Sequence, residues 1–184
     1  KLTKEGFKGV IYSTPETKAL AELILEDAVG LLEKEARREG VLPLYEMQDV
    51  KKAMVLWQTI PYHMETSLDN ESSGRFSVYL KDAGHILGSS FILVEAEDKK
   101  IIFSGDLGNS PAPIIGPWET FGGGATHCLI ESTYGDRIHE DLPERKEILE
   151  DLIEDTVKNK GTLMIPAFAM ERTQDLLYEI NALM

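Results

Sequence analysis

The sequence predicts an α/β fold, and three features of its hydrophobic pattern predict it. A long amphipathic helix pattern lies near the start, residues 59–131 read as short strands between turn residues, and the chain closes as helix, strand, helix. That closing order suggests a parallel βα unit, while a hairpin-like link in the middle calls for antiparallel pairing. A layered arrangement of mixed sheets with helices outside them is therefore expected.

Each element has a local reason. Residues 9–13, GVIYS, form a β-branched and aromatic run, and Thr14 and Pro15 suit the cap and first position of a helix. That helix is expected to run to about Arg38 and stop at Gly40. Leu20, Leu23, Ile24, Ala28, Leu31 and Leu32 recur at three and four, so this stripe is expected to pack on a core. A shorter helix is expected over 49–56 behind Asp49. Strands are expected at Phe76–Leu80, Phe91–Glu95, Ile101–Ser104 and Cys128–Glu131, with EAEDKK at 95–100 as a hairpin turn. The Gly/Pro-rich stretch 108–126 reads as linker, and its GGG at 122–124, lacking the Lys and Ser/Thr of a phosphate loop, as flexible connection. Asp141 with Glu144 resembles a capping box, and Ile148, Leu149, Leu152, Ile153 and Val157 form a helical stripe ending near Gly161. A buried strand, TLMIPAF at 162–168, and a helix from about Glu171 follow.

Composition narrows the function. The 184 residues, 42% of them hydrophobic, suffice for one domain or a piece of a larger one, and exclude global disorder. Lys and Arg number 19 against 32 Asp and Glu, a formal charge of −13, which excludes a broad basic face for nucleic acid. A polyanionic substrate would need local help, such as metal ions. The one cysteine, Cys128, excludes an internal disulfide and a Cys-rich zinc module, and leaves the cytoplasm as the default compartment. No signal-like segment is present, and no apolar run approaches the roughly 20 residues of a membrane span. Beginning at Lys1 and ending inside the helical YEINALM at 178–184, the chain reads as a segment of a longer protein.

Three segments look unlike packing sequence: DAGHILGSS at 82–90, IIFSGDLGN at 101–109 and LIESTYGDR at 129–137. In each, a strand runs into a glycine-containing turn bearing His85, Asp106 or Glu131, which presents the side chain at a sheet rim. A neutral imidazole on a constrained turn suits zinc, and a carboxylate at a strand end can bridge two metal ions. Each residue also has a plainer reading. His85 suits a core-edge histidine bonded to backbone, Asp106 an Asp turn, and Glu131 a loop cap as well as a carboxylate that fixes a histidine.

Together the segments resemble those of the metallo-β-lactamase superfamily, and specifically its β-CASP branch of RNA-processing nucleases. DAGHILGSS resembles the family's third motif, SGDLG its fourth, and ESTYGDR the acidic motif that opens the β-CASP cassette, whose start IPAFAMERTQDLL at 165–177 also resembles. The resemblance runs from about Gly6 to the end. It implies the second half of an αββα sandwich over residues 1–140, leading into the first βα unit of a β-CASP domain at 141–184. It also implies zinc as cofactor, two ions in the full-length parent, and RNA as partner. His85 would be a zinc ligand and Asp106 a bridge between the two ions. Glu131 would orient a cassette histidine, so that catalytic duty falls on Glu131 and Asp106. The family's principal motif, His-x-His-x-Asp-His, is missing, since the histidines are His63, His85, His127 and His139. Two ligands are too few for a zinc shell of about four, so the segment alone is expected to be inactive. Two other readings are a non-catalytic scaffold subunit and a small-molecule hydrolase of the lactonase or thioesterase kind.

The remaining candidates carry paired readings. His63 and His127 read as structural, and His139 as either close to the site or solvated. Arg172, beside Gln174, suits a phosphate at a helix start and equally a surface ion pair. Trp57 and Trp118 suit base stacking or ordinary packing. Half a sandwich leaves a sheet edge and an apolar face without partners, so self-association is expected.

Overall fold

In the computed structural model, residues 1–68, 74–109, 112–138 and 142–183 are described, Leu142 by its backbone only. His139 and the Asp141 cap lie outside them. Near the start, β1 (Ile11–Ser13) pairs in parallel with β2 (Trp57–Thr59), Ile11 opposite Trp57. Parallel strands need a long crossover, and helices α1 (Pro15–Glu39) and α2 (Met47–Val55) supply it. Thr14 caps α1, its hydroxyl accepting from Thr17 N at 3.2 Å, and Gly40 ends it in the left-handed conformation. α2 starts earlier than expected. Glu46 is its cap and Asp49 its third residue, whose carboxylate accepts from Glu46 N at 3.1 Å in a reciprocal capping box.

The larger sheet has the order β3-β4-β5-β6-β7: Thr66–Ser67, Phe76–Asp82, Ser90–Ala96, Lys99–Phe103 and His127–Leu129. β3 to β6 pair antiparallel, and β7 joins β6 in parallel, Ile101 opposite His127. The fold is thus α/β with mixed sheets, as the pattern predicts. The expected hairpin joins β5 and β6, Glu97 taking a left-handed φ of 53° at its tip. Val78 and Leu80 face the core with Ile60, and Phe76, Val94, Tyr62 and Leu68 pack around them. Burying side chains of this size stabilises the fold by roughly 1.5–3 kcal/mol each.

Three expectations need correction. Leu23, Ile24 and Leu31 of the predicted α1 stripe are exposed, while the face that packs carries Leu25, Ala28, Val29, Leu32 and Ala36. The helix has more apolar surface than its neighbours cover. Next, the 108–126 stretch is no slack linker over its described part. Trp118 meets Phe91 edge-on at 6.5 Å, Phe121 meets Tyr79 at 6.1 Å, and Thr126 N donates to Lys100 O at 2.8 Å. Gly116 and the glycines at 122–124 stand in open space. Last, residues 162–168 form no strand and are mostly exposed, Phe168 at 83%. A strand exists only where another strand can bond to it, and none of the described strands lies beside this segment. Helices α3 (Leu142–Lys158) and α4 (Arg172–Leu183) flank it, tied by Lys146 Nζ to Glu179 at 2.9 Å.

Candidate metal site

β4 passes into β5 through the turn that carries His85, and nearly every polar group of this turn is occupied in holding it. Asp82 Oδ1 accepts from Gly84 N at 2.7 Å, and Ser89 Oγ accepts from His85 N at 3.1 Å and Ile86 N at 3.3 Å. Gly84 has a φ of +61°, and a Cβ there would lie 2.5 Å from Trp118 N, so only glycine fits. Neighbouring elements grip the turn from outside. Thr14 and Thr17 at the start of α1 both donate to Gly88 O, at 2.8 and 2.9 Å. Tyr62 donates to Ser89 O at 2.7 Å. Burial first, and then the charges of Asp82, Glu16 and Glu119, raise the pKa of the Tyr62 hydroxyl, which keeps it a neutral donor.

A second turn, after β6, carries Asp106. Ser104 is buried, its N donating to Leu129 O at 2.9 Å and its Oγ accepting from Glu131 N at 3.1 Å. Glu131 reaches across, Oε1 accepting from Leu107 N at 2.5 Å and Oε2 from Thr133 Oγ1 at 2.6 Å. The two turns are stitched where Gly108 N donates to Ala83 O at 2.9 Å. They touch so closely that a Cβ on residue 108 would fall 1.6 Å from Gly84 O.

The stitching brings His85 Nε2 to 3.9 Å from Asp106 Oδ2, with the imidazole 29% and the carboxylate 75% exposed. Two ligands of one tetrahedral zinc ion, each bonded at about 2.0–2.1 Å, stand about 3.4 Å apart, so this pair spans a shell edge after a small side-chain rotation. Imidazole nitrogen and carboxylate oxygen are ordinary zinc donors. His85 Nδ1 is buried with no hydrogen-bond partner, the kind of orphan atom that a bound group or an added partner would satisfy. Among the described residues no group of three or more His, Cys, Asp or Glu side chains could hold a metal. The donors therefore fit part of a zinc shell. Glu131 is held below the ordinary glutamate range, first by the Thr133 hydroxyl, then by the Leu107 N–H, with His85 adding a smaller pull.

His85, Asp106 and Glu131 thus converge. Arg172 pairs with Asp175 at 3.8 Å within α4. His127 lies exposed at the start of β7, 3.0 Å from Thr126 Oγ1, and Trp57 donates to Ser13 Oγ at 2.7 Å. His63 sits in a turn, not a strand, 2.8 Å from Glu119. Sequence reasoning missed Glu119, Thr14, Thr17, Ser89 and Ser104 as supports of the site. Only the two serines carry a signal, each standing beside a glycine of the His85 or the Asp106 turn.

No family model matches the chain. It is similar to ribonuclease TTHA0252 of Thermus thermophilus, 33% identical over 178 residues that cover 97% of this chain and 38% of that protein. It is similar to cleavage and polyadenylation specificity factor subunit 3-I of Arabidopsis thaliana, 30% identical over 176 residues, 96% of this chain and 24% of the relative. An RNase J-like protein of Methanocaldococcus jannaschii is 32% identical over 174 residues, 93% of this chain and 38% of the relative. The chain spans between 24% and 38% of the length of these relatives.

Proposed function

Because the chain belongs to the β-CASP branch of the metallo-β-lactamase superfamily, we propose that it is part of a zinc-dependent hydrolase of RNA phosphodiesters that acts in the cytoplasm. Residues 1–140 would be the second half of the αββα metallo-β-lactamase sandwich, and 141–184 the start of the β-CASP domain. The observation that carries this reading is the stitched pair of turns, with His85 Nε2 3.9 Å from Asp106 Oδ2 and Glu131 fastened to the Asp106 turn. Zinc held there would lower the pKa of a bound water towards about 7 and would neutralise negative charge developing on the phosphate.

The chain's own residues do the positioning. His85 offers one ring nitrogen from a turn whose backbone is already bonded. Asp106, mostly open to solvent, has carboxylate oxygens free for more than one cation. Glu131 holds the Leu107 amide, and so the Asp106 turn, while its ionised form can still accept from a histidine supplied by the rest of the protein. Without the His-x-His-x-Asp-His ligands, this segment by itself is inactive.

The test uses the whole protein that carries this chain. Asp106→Ala and His85→Ala are each expected to lower zinc content and to cut cleavage of a labelled RNA by more than the about 10–100-fold typical of outer-shell partners. Unchanged zinc content in Asp106→Ala would sink its role as a ligand. Zinc-independent association with RNA-processing partners would favour the scaffold reading instead.

A further inference from the structure

β4 has an edge problem just before the His85 turn. β3 pairs only as far as Val78, leaving the strand's outer edge open at Leu80 and Asp82. Two distant residues close it. His63 N donates to Leu80 O at 3.0 Å, from a left-handed φ of 61° that a non-glycine residue keeps only when its surroundings hold it. Glu119 N donates to Asp82 O at 3.0 Å, and Glu119 Oε2 accepts from Asp82 N at 2.9 Å. The two closures are joined to each other, His63 Nε2 lying 3.0 and 2.8 Å from the Glu119 carboxylate oxygens.

What they hold matters more than the edge itself. Asp82 Oδ1 anchors Gly84 N, and the next residue, Ala83, is gripped from both sides. Its N donates to Ser89 O at 3.2 Å, and its carbonyl takes Gly108 N at 2.9 Å. Asp82–Ala83 is therefore the point from which both ligand turns are hung. We infer that His63 and Glu119 form a positioning pair that fixes Asp82 and, through Ala83, the spacing of His85 and Asp106. Neither residue reaches the ligand atoms. Glu119 acts through the backbone of Asp82, and His63 acts by holding the Glu119 carboxylate in place. The inference rests on the metal-site reading above for its consequence, but its structural part stands without any metal.

The experiment compares His63→Ala, Glu119→Ala, their double variant and Glu119→Gln in the whole protein that carries this chain. Hydrogen exchange is followed by mass spectrometry after metal removal by a chelator, and affinity is then measured for Zn2+ alone. Segments 82–90 and 104–109 are expected to exchange at least about tenfold faster in both alanine variants, with 91–96 unchanged. The double variant should match the worse single one, since the residues act as a unit. Zn2+ affinity should fall about 10–100-fold. Glu119→Gln, which keeps an acceptor for Asp82 N, should recover most of both. Unchanged exchange over 82–90 would overturn the inference, and so would equal acceleration of 91–96, which marks general destabilisation. If the wild type takes up no Zn2+, the metal-site reading fails, and the exchange pattern alone still decides for or against the pair.

Discussion

Glu131 is committed before any ligand arrives, because both of its oxygens are already accepting hydrogen bonds, from Leu107 N and Thr133 Oγ1. These donors favour the carboxylate, so its pKa lies below the ordinary value near 4.5 even though partial burial works the other way. A group with a depressed folded pKa adds stability above its unfolded pKa, and that stability is lost as pH falls through the folded value. Glu131→Gln should therefore melt below wild type at neutral pH, and the gap should close as pH drops below about 4. Thermal melts of both proteins across that range check it, and a constant gap would assign the effect to packing instead of charge. Glu131 was legible because it ends an apolar run beside a turn. Its partner Leu107, 24 residues away in sequence, was not, because no local pattern encodes which loop folds against which.

α1 shows what a single element can and cannot announce. Its ends were readable, since Thr14, Pro15 and Gly40 act by local backbone chemistry. Its buried face was not, since two apolar stripes compete and the one chosen depends on where α2 and the sheets lie. The same limit explains residues 162–168, whose β-like composition becomes a strand only beside another strand. By contrast, the β5–β6 hairpin was legible as an element, because both strands and their turn are contiguous, although its turn is only residues 97–98, the strands running to Ala96 and from Lys99. Thr14 links this element to the site, being fully buried, capping α1 and donating to Gly88 O at 2.8 Å. Thr14→Ala should cost ~2 kcal/mol, the sum of a lost cap and a lost bond to a buried carbonyl, while Thr14→Ser should keep most of the stability. Denaturant midpoints of the two variants decide. Equal losses would mean that the methyl, not the hydroxyl, matters.

At the scale of the whole molecule, apolar exposure and charge oppose one another. Met164 is 85% and Phe168 83% exposed in the stretch between α3 and α4, and Leu23 is 65% exposed on α1. Leu129, on the outermost strand of the sheet, is exposed as well. Such surface favours association, and an open strand edge adds unpaired backbone groups to it. Against this stands a formal charge of −13, which makes every copy repel every other. Salt weakens the repulsion, with a Debye length that shrinks from ~10 Å at 0.1 M to ~3 Å at 1 M, but leaves apolar contact intact. The 184-residue chain on its own is therefore expected to self-associate, and more strongly as salt rises. Sedimentation velocity at increasing chain and salt concentrations measures both dependences. A monodisperse monomer with a cooperative melt would show that the exposed apolar surface is tolerated. Association that weakens with salt would show that ion pairs, not the uncovered apolar surface, hold the copies together.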